Sequence, residues 1–149
     1  MVEYDWRWKN DHGIMVILIG LPGSGKSTWG KMMCPNHILV NGDALGTMDK
    51  VNSYVHSSLN DGLKRSILID ATNLTLERRG PLIAMAKQFG YIVYGMYFNL
   101  DVKTCLDRIK QRVSEGGSKV SRVAVYTLNK KTIIPSLAEG FNHILASFC

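Results

Sequence analysis

"IMVILIGLPGSGKST" runs from Ile14 to Thr28. Ile14 to Gly20 is a short continuous apolar run closed by glycine, and it reads as a strand buried on both faces of a parallel sheet. Gly20 to Thr28 matches G-x-x-x-x-G-K-[ST] at Gly20, Gly25, Lys26 and Ser27 with no departure. "KSTWGKMMC" then reads as a helix stopped by Pro35. Strand, glycine loop and helix in that order is the context the motif needs. Gly20, Leu21, Pro22, Gly23, Ser24 and Gly25 are the expected nucleotide-binding loop: its glycines let backbone N–H groups converge on phosphate oxygens, and the helix start adds positive potential. Lys26 is placed for the β- and γ-phosphates, the Ser27 hydroxyl for Mg²⁺, and Thr28 for the α-phosphate. The loop predicts a nucleoside triphosphate and leaves open what is done with it.

Outward from the loop, strands and helices alternate. "HILVN" (37–41) is a second strand, and a polar helical stretch covers 47–63. "RSILIDATN" (65–73) is a third strand ending in Asp70. "LERRGPLIAMAKQFG" is a helix stopped by Gly90, and "YIVYGMYFN" (91–99) a fourth strand. "DVKTCLDRIKQRV" (101–113) is an amphipathic helix capped by Asp101. "SEGGSK" is a flexible loop, "SRVAVYTLNKK" a helix and "HILASF" a last strand. This order predicts an α/β P-loop NTPase fold of the nucleotide-kinase type: a parallel sheet flanked by helices, with a small lid over about 108–120. Residues 14–149 form the domain, and 1–13 an N-terminal extension whose Trp6 and Trp8 pack against the body or serve as a linker stub.

A chain of 149 residues buries one real core. No apolar run reaches the roughly 18 residues of a membrane span, and the first residues lack the apolar core of a secretory signal. Three cysteines, Cys34, Cys105 and Cys149, lie far apart, which argues against a disulfide framework or zinc cluster and for an intracellular, reducing compartment. The four histidines show no metal-ligand spacing. The net charge is +6, and between Asp101 and Lys131 eight Lys/Arg face three Asp/Glu. Such a segment suits nucleotides or nucleic acid, or is a solvated helix face.

Parallel strands deliver their C-terminal ends to one edge, where ligands bind. Asp43 follows the second strand and Asp70 ends the third. Phosphoryl transfer needs positioning, charge stabilisation and a group to receive the acceptor's proton. Asp43 is the candidate general base, with helix N-cap as the alternative. Asp70 resembles the acid that holds a Mg²⁺-bound water; buttressing the loop or contacting the acceptor are its other roles. Thr72 and Asn73 orient those acids or make the turn. Arg108 and Arg112, four apart, share one helix face before the glycines of "SEGGSK". A lid that closes would carry them onto the triphosphate; otherwise they are solvated arginines near a helix C-terminus.

"GLPGSGKSTW", "VNGDALG", "IDATNLTLERR" and "PSLAEGF" together resemble the 5′-kinase domain of polynucleotide kinases, including the kinase half of the polynucleotide kinase–phosphatase repair enzymes. The last stretch is the most telling, because no nucleotide chemistry requires it. The resemblance spans about Ile14 to Phe148. It implies transfer of the γ-phosphate of ATP to the 5′-hydroxyl of DNA or RNA with Mg²⁺. By resemblance Lys26 and Ser27 hold ATP and metal, Asp43 activates the hydroxyl, and Arg112 lies over the phosphates, with Arg108 a weaker match. Asp70, Thr72 and Asn73 would line the acceptor side, and the basic segment would track strand phosphates.

Two departures bear on the acceptor. The family usually has arginine where this chain has Gly42, and some members have another where it has Gly46. There is no D-x-D-x-T phosphatase motif, so a complete chain of this sequence is expected to lack 3′-phosphatase activity. Two rival expectations follow: a P-loop kinase for another hydroxyl acceptor (a nucleoside, a modified base in DNA or a small metabolite), and a catalytically silent nucleic-acid-binding relative. A GTPase-type switch fits least, since no N-K-x-D motif is present.

Overall fold

In the computed structural model, which describes residues 13–117 and 119–147, Ile14–Gly20 forms strand β1 and all seven of its residues are buried. Successive side chains of a strand point to opposite faces, so this one run feeds two cores. Met15, Ile17 and Ile19 join Val51, Val55 and Leu82 on one face; Ile14, Val16 and Leu18 join Leu68, Met96 and Phe98 on the other. A strand with both faces covered has no need of polar alternation, which is why the run is unbroken.

β1 lies at the centre of a five-stranded sheet with β2 (Ile38–Asn41), β3 (Ile67–Asp70), β4 (Ile92–Phe98) and β5 (His143–Ser147). The order is β2-β3-β1-β4-β5 and every neighbouring pair is parallel. Helix α1 (Lys26–Met33) follows β1, and Gly30 lets it approach the sheet: a Cβ there would meet Leu68 Cδ2 at 2.8 Å. α2 (Gly42–Leu45) and α3 (Met48–Leu59) follow β2, and α4 (Leu76–Gln88) follows β3. α5 (Val102–Ser114) and α6 (Arg122–Lys131) lie between β4 and β5, with a 3₁₀ turn at Leu137–Glu139. The fold is the P-loop NTPase fold of the nucleotide kinases, as the alternation predicts.

Local signals set most boundaries. α3 buries Val51, Val55 and Leu59 at helical spacing behind the Thr47 cap. Asp101 caps α5, its carboxylate accepting from the Thr104 N–H at 2.7 Å. Tertiary effects set others. β3 ends at Asp70, as the sequence predicts, though it starts at Ile67 rather than residue 65; beyond it Asn73 takes a left-handed φ of 47°. The polar helix ends at Leu59, short of residue 63. The range expected to act as a lid begins inside α5, which continues to Ser114. Trp6, Trp8 and Cys149 lie outside the described residues. Cys34 and Cys105 are both buried. No helix among the described residues is long and apolar enough to cross a membrane.

Candidate active site

Parallel strand order brings Gly20, Asn41 and Asp70 to the same edge, and Asn41 and Asp70 are register partners. The phosphate loop leaves β1 there. Gly23 and Gly25 have φ of 82° and 94°, values that L side chains rarely adopt. Gly20 is needed for space: a Cβ would lie 2.7 Å from Ser24 Oγ and 2.9 Å from Phe98 Cβ. Leu21 and Ser24 are buried, Pro22 is half-buried, and Ser27 and Thr28 are exposed on the first turn of α1.

Lys26 is 8% exposed. Its Nζ donates to the Leu21 carbonyl at 2.8 Å and approaches Ser24 Oγ at 3.5 Å. Burial lowers its pKa to about 8, and the Arg112 charge works in the same direction; Asp70, Cys105 and Asp43 oppose the shift. Burial likewise raises the Cys105 thiol, with Lys26 opposing. The Ser27 hydroxyl donates to Asp70 Oδ2 at 2.8 Å. This hydroxyl–carboxylate pair beside the loop lysine fits Mg²⁺, a hard cation bound by few protein oxygens along with phosphates and water. Among the described residues no cluster of three or more His, Cys, Asp or Glu could hold a metal by itself.

Asp43 sits in the first turn of α2 and is exposed. It is not the N-cap. Asn41 is: its Oδ1 accepts from the Asp43 and Ala44 N–H groups at 3.0 and 3.2 Å. Because the chain turns into α2 directly at the end of β2, the cap falls two residues earlier than the sequence suggests, and the Asp43 carboxylate is left for other work.

"DATN" is divided between two tasks. Asp70 faces Ser27. Beyond it, the Thr72 carbonyl accepts from the Gly20 N–H at 3.0 Å. Asn73 is 4% exposed, and its Nδ2 donates to the Leu18 carbonyl at 2.7 Å. These bonds tie the β3–α4 loop to β1 just ahead of the phosphate loop. On the opposite side α5 supplies the arginines. A Cβ at Gly25 would meet Arg108 Nη1 at 3.2 Å, so Arg108 lies against the loop, and Arg112 is near enough to act on Lys26. Both are carried by α5 itself.

A cavity of about 180 Å³ opens beside Asp43, lined among others by Gly42, Gly46, Thr72, Asn73, Asn52 and Arg78. Asp70 does not line it. Asn52 and Arg78 escaped the sequence reading. The doublet Arg78–Arg79 after "DATN" was the available signal, but spacing alone does not say which arginine faces the cavity. A larger cavity of about 640 Å³ lies between α5 and α6, mostly apolar and with no phosphate-loop residue in its wall. The smaller one has no phosphate-loop residue in its wall either, but Asp43, Thr72 and Asn73 line it.

A family model described as an AAA domain matches residues 15–132. The chain belongs to this family, AAA_33. This AAA domain is 30% identical to "Transcription factor bHLH140" of Arabidopsis thaliana, over 91% of the chain and 16% of that protein. It is 24% identical to the "Bifunctional polynucleotide phosphatase/kinase" of Schizosaccharomyces pombe, over 91% of the chain and 34% of that protein. The chain thus spans about a third or less of the length of these relatives. Chaetomium thermophilum Kti12 in complex with ADP-AlF3 has the same fold, with a TM-score of 0.67 at 14% identity, covering 90% of this chain and 88% of that one.

Proposed function

We propose that this AAA domain is a Mg²⁺- and ATP-dependent polynucleotide 5′-hydroxyl kinase. The observation that supports this most is the position of Asp43. It is an exposed carboxylate on the lip of a cavity, close enough to Lys26 to act on its charge, with no capping duty of its own. A switch ATPase has no acceptor to place in such a cavity. The fission-yeast relative's kinase name and the four matching stretches point to a 5′-hydroxyl as that acceptor.

The loop N–H groups and Lys26 hold the triphosphate. Lys26 exchanges its bond to the Leu21 carbonyl for phosphate oxygens, which favour its charged form. Ser27 and Asp70 would hold Mg²⁺, which supplies further positive charge at the phosphates. Asp43 takes the proton of the acceptor hydroxyl as that oxygen bonds to the γ-phosphorus. The bond from the γ-phosphorus to its bridging oxygen breaks, and ADP departs with the electron pair. Arg108 and Arg112 bring positive charge to the transferring group.

The test is label transfer from γ-labelled ATP with Mg²⁺ to 5′-hydroxyl DNA and RNA strands, with 5′-phosphorylated strands as controls. Label on the 5′-hydroxyl strands alone is the expected result. Label on free nucleosides or small metabolites but on no strand would move the reading to a kinase for another acceptor. The loss of both family arginines, at Gly42 and Gly46, gives that second reading its basis.

A further inference from the structure

The cavity beside Asp43 has a single cation among its described lining residues, Arg78. Arg78 is the third residue of α4, where the helix dipole disfavours positive charge. Its backbone N–H is taken by the Thr75 hydroxyl, yet its side chain is exposed and forms no ion pair among the described residues. Arg79, the next residue, is fully buried and bonded to Glu139. Two adjacent arginines therefore have opposite fates, and only one is explained by the fold.

The walls show why a cation here matters. At Gly42, where the resemblance leads one to expect arginine, a Cβ would lie 2.7 Å from the Ala71 Cβ. That wall is closed to a side chain. Gly46 has open space but a φ of 89°. In the same wall, Asn52 Oδ1 is buried with no hydrogen-bond partner among the described residues, a polar atom left available to a donor from an occupant. At about 180 Å³ the cavity is smaller than the roughly 300–1,000 Å³ of pockets that enclose whole drug-sized ligands. It suits one sugar unit of a strand, with the base left outside. Going from a reacting 5′-hydroxyl across one such sugar, the next anionic group of a strand is its 3′-phosphate.

We propose that Arg78 is a specificity-determining residue that binds the phosphate on the 3′ side of the reacting sugar, taking over from the arginines absent at positions 42 and 46. The guanidinium suits this task because it offers paired donors to phosphate oxygens. The inference rests on the kinase reading above for the position of the reacting hydroxyl. It makes the acceptor a nucleotide already carrying a 3′-phosphate, free or within a strand, rather than a nucleoside.

Two measurements separate this inference from that reading. Calorimetry in the presence of Mg²⁺ and a non-hydrolysable ATP analogue gives the Kd of adenosine 3′-monophosphate and of adenosine for the wild type, Arg78→Gln and Arg78→Lys. The wild type is expected to prefer the phosphorylated form at least tenfold, Arg78→Gln to lose that preference, and Arg78→Lys to keep part of it. A wild type without the preference, or an Arg78→Gln variant that retains it, overturns the assignment. Label transfer to 5′-hydroxyl strands is measured alongside. An Arg78-dependent preference without labelled strands would sink the polynucleotide reading and leave Arg78 as the phosphate reader of a mononucleotide acceptor.

Discussion

Arg79 and Glu139, 60 residues apart, are joined by two bonds: Nε to Oε1 at 2.7 Å and Nη2 to Oε2 at 3.1 Å. The third edge of the same guanidinium donates to the Asn73 carbonyl at 2.9 Å. Asn73 in turn holds the Leu18 carbonyl, and its neighbour Thr72 holds the Gly20 N–H. A continuous path thus runs from "PSLAEGF" to the strand that presents the phosphate loop. That gives a physical reason for a stretch that nucleotide chemistry does not require. Glu139 is itself fixed, accepting from the Ser136 N–H at 2.9 Å.

Removing one partner strands a buried charge. Glu139→Ala is therefore expected to destabilise the domain by about 3–5 kcal/mol in urea unfolding. An Arg79→Leu/Glu139→Leu double variant is expected to cost less than Glu139→Ala, since no unpaired charge remains. Equal losses would mean that the stranded charge is not the source of the cost.

Lys26 makes nucleotide binding sensitive to alkaline pH. With its pKa lowered to about 8, the free domain loses the lysine's charge as pH rises past that value. Phosphate favours the charged form, so binding takes up a proton there. ATP affinity is expected to be flat below about pH 7.5 and to fall above pH 8, with proton uptake visible in calorimetry across buffers of different ionisation heat. The folded pKa lies below the ordinary lysine value, so the folded state holds fewer protons between the two. Stability of the free domain should accordingly rise with pH over that window. An ATP affinity unchanged from pH 7 to 9.5 would rule out this account of the lysine.

Asp43→Asn keeps the shape of the site and removes the base. Turnover is expected to fall by about 10²–10⁴-fold, with ATP binding at neutral pH nearly intact. Asp43 also helps to keep Lys26 charged, so the pH at which ATP affinity starts to fall should move down in this variant. Wild-type turnover would remove Asp43 from the mechanism.

Reintroducing the missing arginine should fail for a steric reason. Gly42→Arg brings a Cβ against Ala71, and overpacking of this kind costs about 1–3 kcal/mol. Ala71→Gly removes the opposing Cβ, so the double variant is expected to recover much of the loss. A thermal melt of the two variants side by side decides it.

Much of the fold was legible because its signals are local. An unbroken apolar run, a glycine loop and a lysine-started helix lie in one stretch of 15 residues, Ile14 to Thr28. The alternation of strands and helices behind it admits few sheet topologies. Asp101 as a cap was readable too, because its partner Thr104 is three residues away. Asp43 was readable as a carboxylate at a strand end, but its freedom from capping was not. That depends on where the chain turns after β2, and the turn passes so close to Ala71, a residue just beyond a different strand, that a Cβ at Gly42 would lie 2.7 Å from the Ala71 Cβ.

The doublet Arg78–Arg79 marks the boundary most sharply. By itself the sequence determined that two cations start a helix just after "DATN", and that the sheet edge carries a phosphate loop and two acids. Adjacent residues on a helix point about 100° apart, so one arginine can enter the core while the other faces the cavity. Which does which depends on how α4 is rotated about its axis. Only the tertiary structure decided that, because the rotation is held by Glu139 and the Asn73 carbonyl, one of them far away in the chain and neither of them within α4.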